Sequence, residues 1–325
     1  MYRVSTFLSI ILFASSNLCA QLNVYYINVG QGDAIYLEFP NGTNALIDGG
    51  PGGEPIYQFL KAKGVTGLDR VVLTHPHSDH YRGLKKVFSA FDVKNFYDTK
   101  AENVDAKGDN NLRELAAAEP GCRTHFPEPG AVLAWDSRVT VKVLNSCYEP
   151  VQIHDNDETN NCSLVIRLYY NGAGLLFMGD AEASIEDTIA RTFKSGLRSY
   201  ALKVSHHGSR YSSTEKFLAR VQPKVAIISV GVNNIYGHPH KETIDRLRAA
   251  GAKIFYTTSG TQLLTIPAPK TGVETVLNGP IRYDPSMTVR PEFESMIYSP
   301  DISPVSVNSE ALEQLKAQAA AESNY

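Results

Sequence analysis

Short apolar runs alternate with glycine-containing turns at the start of the chain. β-Branched and aromatic residues fill positions 22–29 and 34–39, and the four residues between them include two glycines. An Asn-Gly pair at positions 41 and 42 leads into a third run at 44–50. Because Asn-Gly favours tight hairpin turns, this pattern predicts three antiparallel strands.

Helical and strand patterns then alternate in two series. In the first series, positions 54–64 and 81–91 predict helices around a buried strand at 70–73. The order of both series predicts an α/β fold with two similar halves, each a sheet covered by helices on one face. The second series contains a hairpin at 163–170 and 174–180, strands at 201–204, 224–231, 253–257 and 262–266, and helices at 185–193, 214–221 and 241–250.

Two regions have weaker patterns. Between positions 95 and 155 we predict a strand at 95–97, a helix at 111–119 and a strand at 139–144, and we interpret 153–161 as a polar loop. After about position 267 the chain is irregular and rich in proline, and residues 310–321 have high helix propensity. We therefore predict one domain over 21–268 and a tail or packed terminal helix within 269–325.

The first twenty residues have the pattern of an export signal. Arg3 precedes an apolar segment at 7–14, and the small residue Ala20 follows it. This pattern favours cleavage after Ala20 and a mature chain that is secreted or periplasmic. An uncleaved anchor is the alternative, although the apolar segment is short for a membrane span. Since no later apolar stretch is long enough for a membrane helix, we expect no integral membrane contact in the mature form.

The composition allows a substantial core and shows no excess of positive charge. The chain has 325 residues, 43% of them hydrophobic, and a formal net charge of −3. A basic surface for long nucleic acid is therefore not visible in the totals. After residue 20, Cys122, Cys147 and Cys162 remain, which is compatible with one disulfide and one free thiol. The candidate pairs are Cys147–Cys162 and Cys122–Cys147.

Three histidines and one aspartate follow the predicted strand at 70–73 within six positions. They are His75, His77, Asp79 and His80. Imidazole and carboxylate groups together suit zinc, and iron or manganese less specifically. The first two histidines can converge on one ion, and Asp79 and His80 could hold a second. A loop of solvated histidines is the alternative, but this spacing behind an apolar strand favours a metal site.

Other predicted strands also end in candidate ligands. Asp48 stands at a strand end before two glycines, where its carboxylate can reach a neighbouring loop, although it could also be an ordinary turn residue. Asp180 ends the second hairpin. His206 and His207 follow the strand at 201–204, which repeats the arrangement of the first histidine loop.

The H-x-H-x-D-H pattern resembles that of the metallo-β-lactamase superfamily. More narrowly, several segments resemble the hydrolase domain of the competence protein ComEC and its stand-alone secreted relatives, and less closely the phosphorylcholine esterases. These segments are 28–34, 160–165, 178–180, 202–209 and 237–239. The resemblance implies an αββα sandwich of two mixed sheets with helices on the outer faces.

The resemblance also implies a centre of one or two metal ions, Zn²⁺ or alternatively Mn²⁺. Asn161 occupies the region where many members carry a third histidine, and an amide oxygen is a poorer zinc ligand. Asp48 is implied to support the histidine loop, and His206 could exchange with His207. The implied ligands are His75 and His77 for the first metal, Asp79, His80 and His207 for the second, and Asp180 between them.

The expected activity is hydrolysis by a metal-bound hydroxide, with Asp79 and His238 as catalytic residues. His238 is implied to face the pocket, where a protonated or donor imidazole can hold a phosphate oxygen. The leading hypothesis is a secreted phosphodiesterase or nuclease, whose substrate is a phosphodiester or a nucleic acid. Hydrolysis of a carboxylic ester, lactone or β-lactam and a non-catalytic exported binding module are the alternatives. The oligomeric state stays open.

Overall fold

The computed structural model describes residues 20–104, 108–269 and 288–292. The predicted export signal, apart from Ala20, and the predicted helix at 310–321 lie outside the described residues. Within the described ranges, no helix combines the length and the apolar character needed to cross a membrane.

Strands and helices alternate along the described chain. The strands are β1 (Leu22–Tyr26), β2 (Ile35–Glu38), β3 (Asn44–Ile47), β4 (Gly67–Leu68), β5 (Val71–Val72), β6 (Asp92–Val93), β7 (Asn95–Tyr97), β8 (Ala101–Asn103), β9 (Arg123–His125), β10 (Val132–Asp136), β11 (Val139–Asn145), β12 (Val151–Ile153), β13 (Val165–Tyr170), β14 (Ala173–Phe177), β15 (Ala201–Lys203), β16 (Val225–Ile228), β17 (Lys253–Tyr256), β18 (Thr261–Ile266) and β19 (Thr288–Glu292). The helices are α1 (Gly53–Ala62), α2 (Ser78–Ala90), α3 (Gly108–Ala118), α4 (Asn156–Asn161), α5 (Ala183–Phe193), α6 (Glu215–Val221) and α7 (Lys241–Ala249). Short 3₁₀ turns span Lys194–Leu197, Ser205–Gly208 and Thr257–Ser259.

Two mixed sheets are built on the same plan. The first has the order β19-β18-β1-β2-β3-β5-β7-β9, antiparallel as far as β3 and parallel beyond it. The second has the order β10-β11-β13-β14-β15-β16-β17, antiparallel as far as β14 and parallel beyond it. The predicted opening hairpins and the second hairpin are thus confirmed.

The alternation of side chains along each strand creates three apolar layers. In β1, Val24 and Tyr26 face the core between the sheets, whereas Tyr25 faces the core under α1 and α2. In β14, Phe177 enters the same central core, and Leu176 packs with the helices on the other outer face. Successive strand residues point to opposite faces, so each sheet buries both of its sides. The predicted αββα sandwich is confirmed.

The region between the two halves differs from its prediction. The interpretation of 153–161 as a polar loop is wrong, because Ile153 ends β12, which pairs with β8, and α4 follows. Asp155 caps α4 by accepting a hydrogen bond from the Asp157 N–H. A disulfide joins Cys147 to Cys162, and Cys122 is free. Residues 288–292, in the region predicted to be irregular, form a strand beside β18.

Candidate metal centre

Loops from both sheets converge at the C-terminal ends of their parallel strands. The first sheet contributes Asp48 after β3 and residues 74–80 after β5. The second contributes Asp180 after β14 and the Ser205–Gly208 turn after β15. Sites in layered α/β folds lie at such strand ends, since the loops there meet across the sheets.

Asp48 orients the first histidine loop. Its Oδ1 accepts a hydrogen bond from the Thr74 N–H at 2.8 Å, and its Oδ2 accepts one from the Thr74 hydroxyl at 2.7 Å. The same Oδ2 lies 2.8 Å from His80 Nδ1. This bond fixes the imidazole, so the other ring nitrogen of His80 points into the centre, 3.3 Å from Asp180 Oδ2.

Asp180 connects the two histidine loops. Its Oδ2 lies 3.3 Å from His207 Nε2 and 3.9 Å from His75 Nε2. Asp79 Oδ2 lies 3.2 Å from His207 Nε2 and 3.9 Å from His80 Nε2. Two groups, His75 with His80 and Asp180, and Asp79 with His80 and His207, therefore have ligand atoms within 4.8 Å of one another.

The remaining predicted ligands lie around these groups. His77 Nδ1 is 3.0 Å from His75 Nε2, and its Nε2 is buried without a hydrogen-bond partner among the described residues. His206 turns away from the centre, with its Nδ1 2.9 Å from Glu182 Oε1. Asn161 Oδ1 accepts a hydrogen bond from the Glu182 N–H at 3.1 Å, so this amide positions Glu182 instead of facing the metal ligands.

His238 lies beside the second histidine pair. Its ring centroid is 5.3 Å from that of His206 and 6.3 Å from that of His207. Burial and the neighbouring imidazoles of His206, His207 and His240 together lower the pKa of His238 to about 3. Of the two states expected from the sequence, the structure therefore favours the neutral ring.

A buried lysine and aspartate are part of the centre and were missed by the sequence analysis. Lys203 is fully buried, forms an ion pair with Asp33 Oδ2 and donates a hydrogen bond to the Gly179 carbonyl at 3.1 Å. Its Nζ lies 3.6 Å from Asp180 Oδ1. Burial lowers the pKa of Lys203, but Asp33 and Asp180 outweigh it and raise that pKa overall. A lysine within the apolar strand β15 was the signal for this role.

The donor atoms fit divalent metal ions. In the described ranges, the buried Nε2 atoms of His77, His80 and His207 have no hydrogen-bond partner. The same is true of the buried Oδ1 of Asp180. Four buried or partly buried carboxylates, those of Asp33, Asp48, Asp79 and Asp180, lie in this centre, and the ammonium group of Lys203 contacts two of them, Asp33 and Asp180. Such an excess of negative charge is costly away from water unless cations balance it.

The pKa shifts of two histidines reflect the negative charge of these carboxylates. Burial lowers the pKa of His207, but Asp180, Asp79 and Asp33 raise it to about 10. Burial also lowers the pKa of His80, and Asp180, Asp48 and Asp79 bring it well above its ordinary value. The carboxylates thus attract positive charge to the positions where ligand nitrogens converge.

The turn that carries His207 has an uncommon backbone. His206 and His207 have φ angles of 47° and 51°, and Gly208 follows with 87°. The ring of His207 is held by a contact of 2.9 Å between its Nδ1 and the Ser229 carbonyl. Left-handed conformations of non-glycine residues are costly and persist where surrounding contacts fix them, which is frequent at functional sites.

Comparison with known proteins agrees with this fold. The family described as the Metallo-beta-lactamase superfamily matches residues 27–232. The chain therefore belongs to the metallo-beta-lactamase superfamily.

Within that superfamily the chain is similar to competence proteins, as the sequence motifs predicted. ComE operon protein 3 of Bacillus subtilis (strain 168) is 30% identical over 266 residues, which cover 76% of this chain and 33% of the relative. Competence protein ComA of Neisseria gonorrhoeae is 31% identical over 222 residues, covering 68% and 28%. This chain thus spans about a third of the length of these relatives.

Among solved structures, the metallo-beta-lactamase fold protein YhfI from Bacillus subtilis aligns with 73% of this chain and 95% of its own. The two share 12% sequence identity, with a TM-score of 0.48.

Proposed function

We propose that this protein is a metal-dependent hydrolase that cleaves phosphodiesters. The observation that carries the proposal is the convergence of two three-residue ligand groups on His80, with Asp180 between the two histidine loops. One or two Zn²⁺ ions, or alternatively Mn²⁺, would be held by His75, His77, Asp79, His80, Asp180 and His207. Bound divalent ions supply Lewis acidity, which lowers the pKa of water and offsets charge on a phosphoryl group.

The protein residues around the ligands have roles that suit this reaction. Asp79 has a side chain that is 26% exposed, so it can reach both the metal site and a substrate or water at the rim. Neutral His238 can donate a hydrogen bond to a phosphate oxygen or a leaving group, and it needs no protonation to do so. Asp48 keeps His80 in position, and Lys203 balances part of the negative charge near Asp180.

A phosphodiester is favoured over a carboxylic ester, lactone or β-lactam by the kind of relatives found. Two of them are named for competence or its operon, and we infer a competence-related role for the hydrolase, with a nucleic acid as the polymer substrate. Export to the periplasm or exterior, as the first twenty residues predict, is part of the proposal. The position of Asn161, whose amide is engaged by Glu182, is the observation that favours a non-catalytic binding module instead.

The test combines metal content with turnover. Purified protein would be analysed for bound metal and assayed on bis(p-nitrophenyl) phosphate with added Zn²⁺ or Mn²⁺, beside Asp79→Ala and His207→Ala. The exposed loop residue His154 provides a matched control, His154→Ala. Bound metal with turnover that is lost in both site variants and kept in the control supports the proposal.

The alternatives give different results in the same preparation. Bound metal with turnover of a lactone or a chromogenic β-lactam, and none of any phosphodiester, would replace the proposed substrate class. Less than one metal ion per chain together with no turnover would leave the binding module as the better explanation.

A further inference from the structure

Large apolar side chains are exposed in the chain segments next to His207 and His238. Val232, Ile235, Tyr236 and Tyr211 have exposed fractions of 73%, 53%, 58% and 65%. The first three lie in the loop that ends at His238, and Tyr211 lies in the loop that follows His207. We call the two tyrosines, Tyr211 and Tyr236, the aromatic rim. Clusters of exposed apolar side chains beside a polar cleft are typical of binding surfaces.

A series of rings connects the metal ligands to this rim. The ring of His80 is 5.5 Å from that of His207, and His207 is 6.3 Å from His238. The ring of Tyr236 stacks on His238 at 5.7 Å with an interplanar angle of 24°. Exposure increases along the series, from 1% for His207 to 58% for Tyr236. The Tyr236 ring is thus the exposed end of the series, where it can contact a group attached to a phosphate at the centre.

The backbone of Tyr211 is connected to the same histidines through the start of α5. Its carbonyl accepts a hydrogen bond from the Ala183 N–H at 3.0 Å, next to Glu182. Glu182 in turn contacts His206, whose ring is packed against His238. Both tyrosine-bearing loops are thus anchored to the His206 and His238 pair.

Two described cations close to the rim residues and His238 in the sequence, Arg210 and Lys241, are already paired. Arg210 Nη1 lies 3.4 Å from Glu242 Oε1, and Lys241 forms an ion pair with Asp245 one turn later in α7. A ligand at the rim would gain little from net positive charge. Recognition there has to come from apolar and aromatic contact.

We infer that the aromatic rim binds an unpaired nucleobase next to the scissile phosphate, which makes single-stranded nucleic acid the substrate class. This inference rests on the proposed phosphodiesterase function. Aromatic side chains stack on bases without regard to sequence, since every base has a π face. In a duplex the bases are stacked inside the helix and are not available to Tyr236, so a single strand fits the rim better.

The test measures base contact directly. Binding of a fluorescein-labelled single-stranded oligonucleotide would be followed by anisotropy, beside a strand of the same length with an abasic residue at each position in turn. We expect Tyr236→Ala to raise the Kd for the normal strand by about 10-fold or more, in the range found for loss of one base–aromatic stack. Tyr236→Phe should retain the wild-type Kd within about 3-fold, because the ring stays.

Coupling between the Tyr236→Ala substitution and the abasic position identifies the contact between Tyr236 and a base. In the wild type, one abasic position should weaken binding, and in Tyr236→Ala the same position should have no further effect. Tyr211→Ala provides a second variant should Tyr236→Ala fold poorly. Phe126→Ala is the control. Phe126 directly follows β9 and is 39% exposed, and the variant should bind the oligonucleotide as the wild type does.

The outcomes separate this inference from the proposed function. Hydrolysis of bis(p-nitrophenyl) phosphate with equal affinity for normal and abasic strands, or with tighter binding of duplex than of single strand, would overturn the inference and leave the phosphodiesterase in place. Loss of all phosphodiester hydrolysis would remove both.

Discussion

The loop that carries His75 and the turn that carries His207 both reach Asp180, but they differ in backbone and in support. The first loop uses ordinary conformations, with His77 extended at the start of α2. The second has two successive histidines at positive φ. Asp48, which follows β3, supports the first loop. The second is supported by the Ser229 carbonyl against His207, by Glu182 against His206, and by the His240 N–H, which donates to the Gly208 carbonyl.

The difference shows which residues determine the conformation of each loop. The geometry of the first loop depends on residues 74–80 and on the carboxylate of Asp48, so most of it is determined by nearby sequence. The second depends on packing between distant segments, including Gly208 against Pro239. We therefore expect the second loop to be more sensitive to substitutions outside the metal ligands.

Removing the residue that both loops share should have the largest effect. Asp180→Asn keeps the shape of the side chain but removes the charge that faces His80 and His207. Since metal-based stabilisation of a transition state is worth several kcal/mol, we expect kcat on the phosphodiester to fall by about 10³-fold or more. Elemental analysis should show less bound metal. Asp187→Asn, at an exposed position in α5, should change neither quantity.

Breaking the buried ion pair should follow in size. Lys203→Met leaves Asp33 buried without its cation, and loss of one partner of a buried pair costs about 3–5 kcal/mol. The free energy of unfolding, measured by urea denaturation in the presence of a chelator, should fall by that amount. Lys94→Met removes a lysine that is 73% exposed from its pair with Asp69 and should cost at most about 1 kcal/mol. Equal losses in the two variants would show that Lys203 does not compensate the carboxylates.

The turn of the second loop can be tested at its glycine. Gly208 has a φ of 87°, and a Cβ there would lie 2.6 Å from Pro239 Cβ. Gly208→Ala should therefore cost about 1–2 kcal/mol for the left-handed backbone and about 1–3 kcal/mol more for overpacking. Gly64 has a similar φ of 70° with no atom within 4 Å of an added Cβ, so Gly64→Ala isolates the backbone cost. Urea denaturation of both variants gives the difference, and an equal loss would exclude close packing of the turn.

The same contrast explains what could be predicted from the sequence. The strands, the helices and the His75 loop follow from apolar periodicity and from ligands clustered within six positions. By contrast, β10 has little alternation because its first three residues are not buried. β8 and β12, which pair with each other, have three residues each, so their pattern was too short to recognise. The choice between His206 and His207 depends on backbone angles, and the role of Lys203 depends on Asp33, 170 residues away. Contacts across such separations leave no periodic trace.

The smallest effect concerns a carboxylate that supports the segment after the second loop. Glu186 is buried in α5 and accepts hydrogen bonds from the N–H groups of Ser213 and Thr214. Burial raises its pKa to about 7, although those bonds and Arg246 act in the opposite direction. Between its ordinary pKa and this value, the folded protein binds more protons than the unfolded chain does. The free energy of unfolding must therefore fall as the pH rises through this window.

A substitution that cannot titrate should remove this slope. From about pH 5.5 to about pH 7, Glu186 should cost the wild type about 1–2 kcal/mol, and Glu186→Gln should lose this share of the pH dependence. The free energy of unfolding itself will also change, because a glutamine cannot accept hydrogen bonds from both N–H groups equally well. The comparison is therefore between the slopes of this free energy against pH, measured by urea denaturation at several pH values. Glu215→Gln, at an exposed glutamate in α6, should keep the wild-type slope. Parallel slopes for wild type and Glu186→Gln would mean that the pKa of Glu186 is not raised and that its carboxylate holds Ser213 and Thr214 in the charged form throughout this pH range.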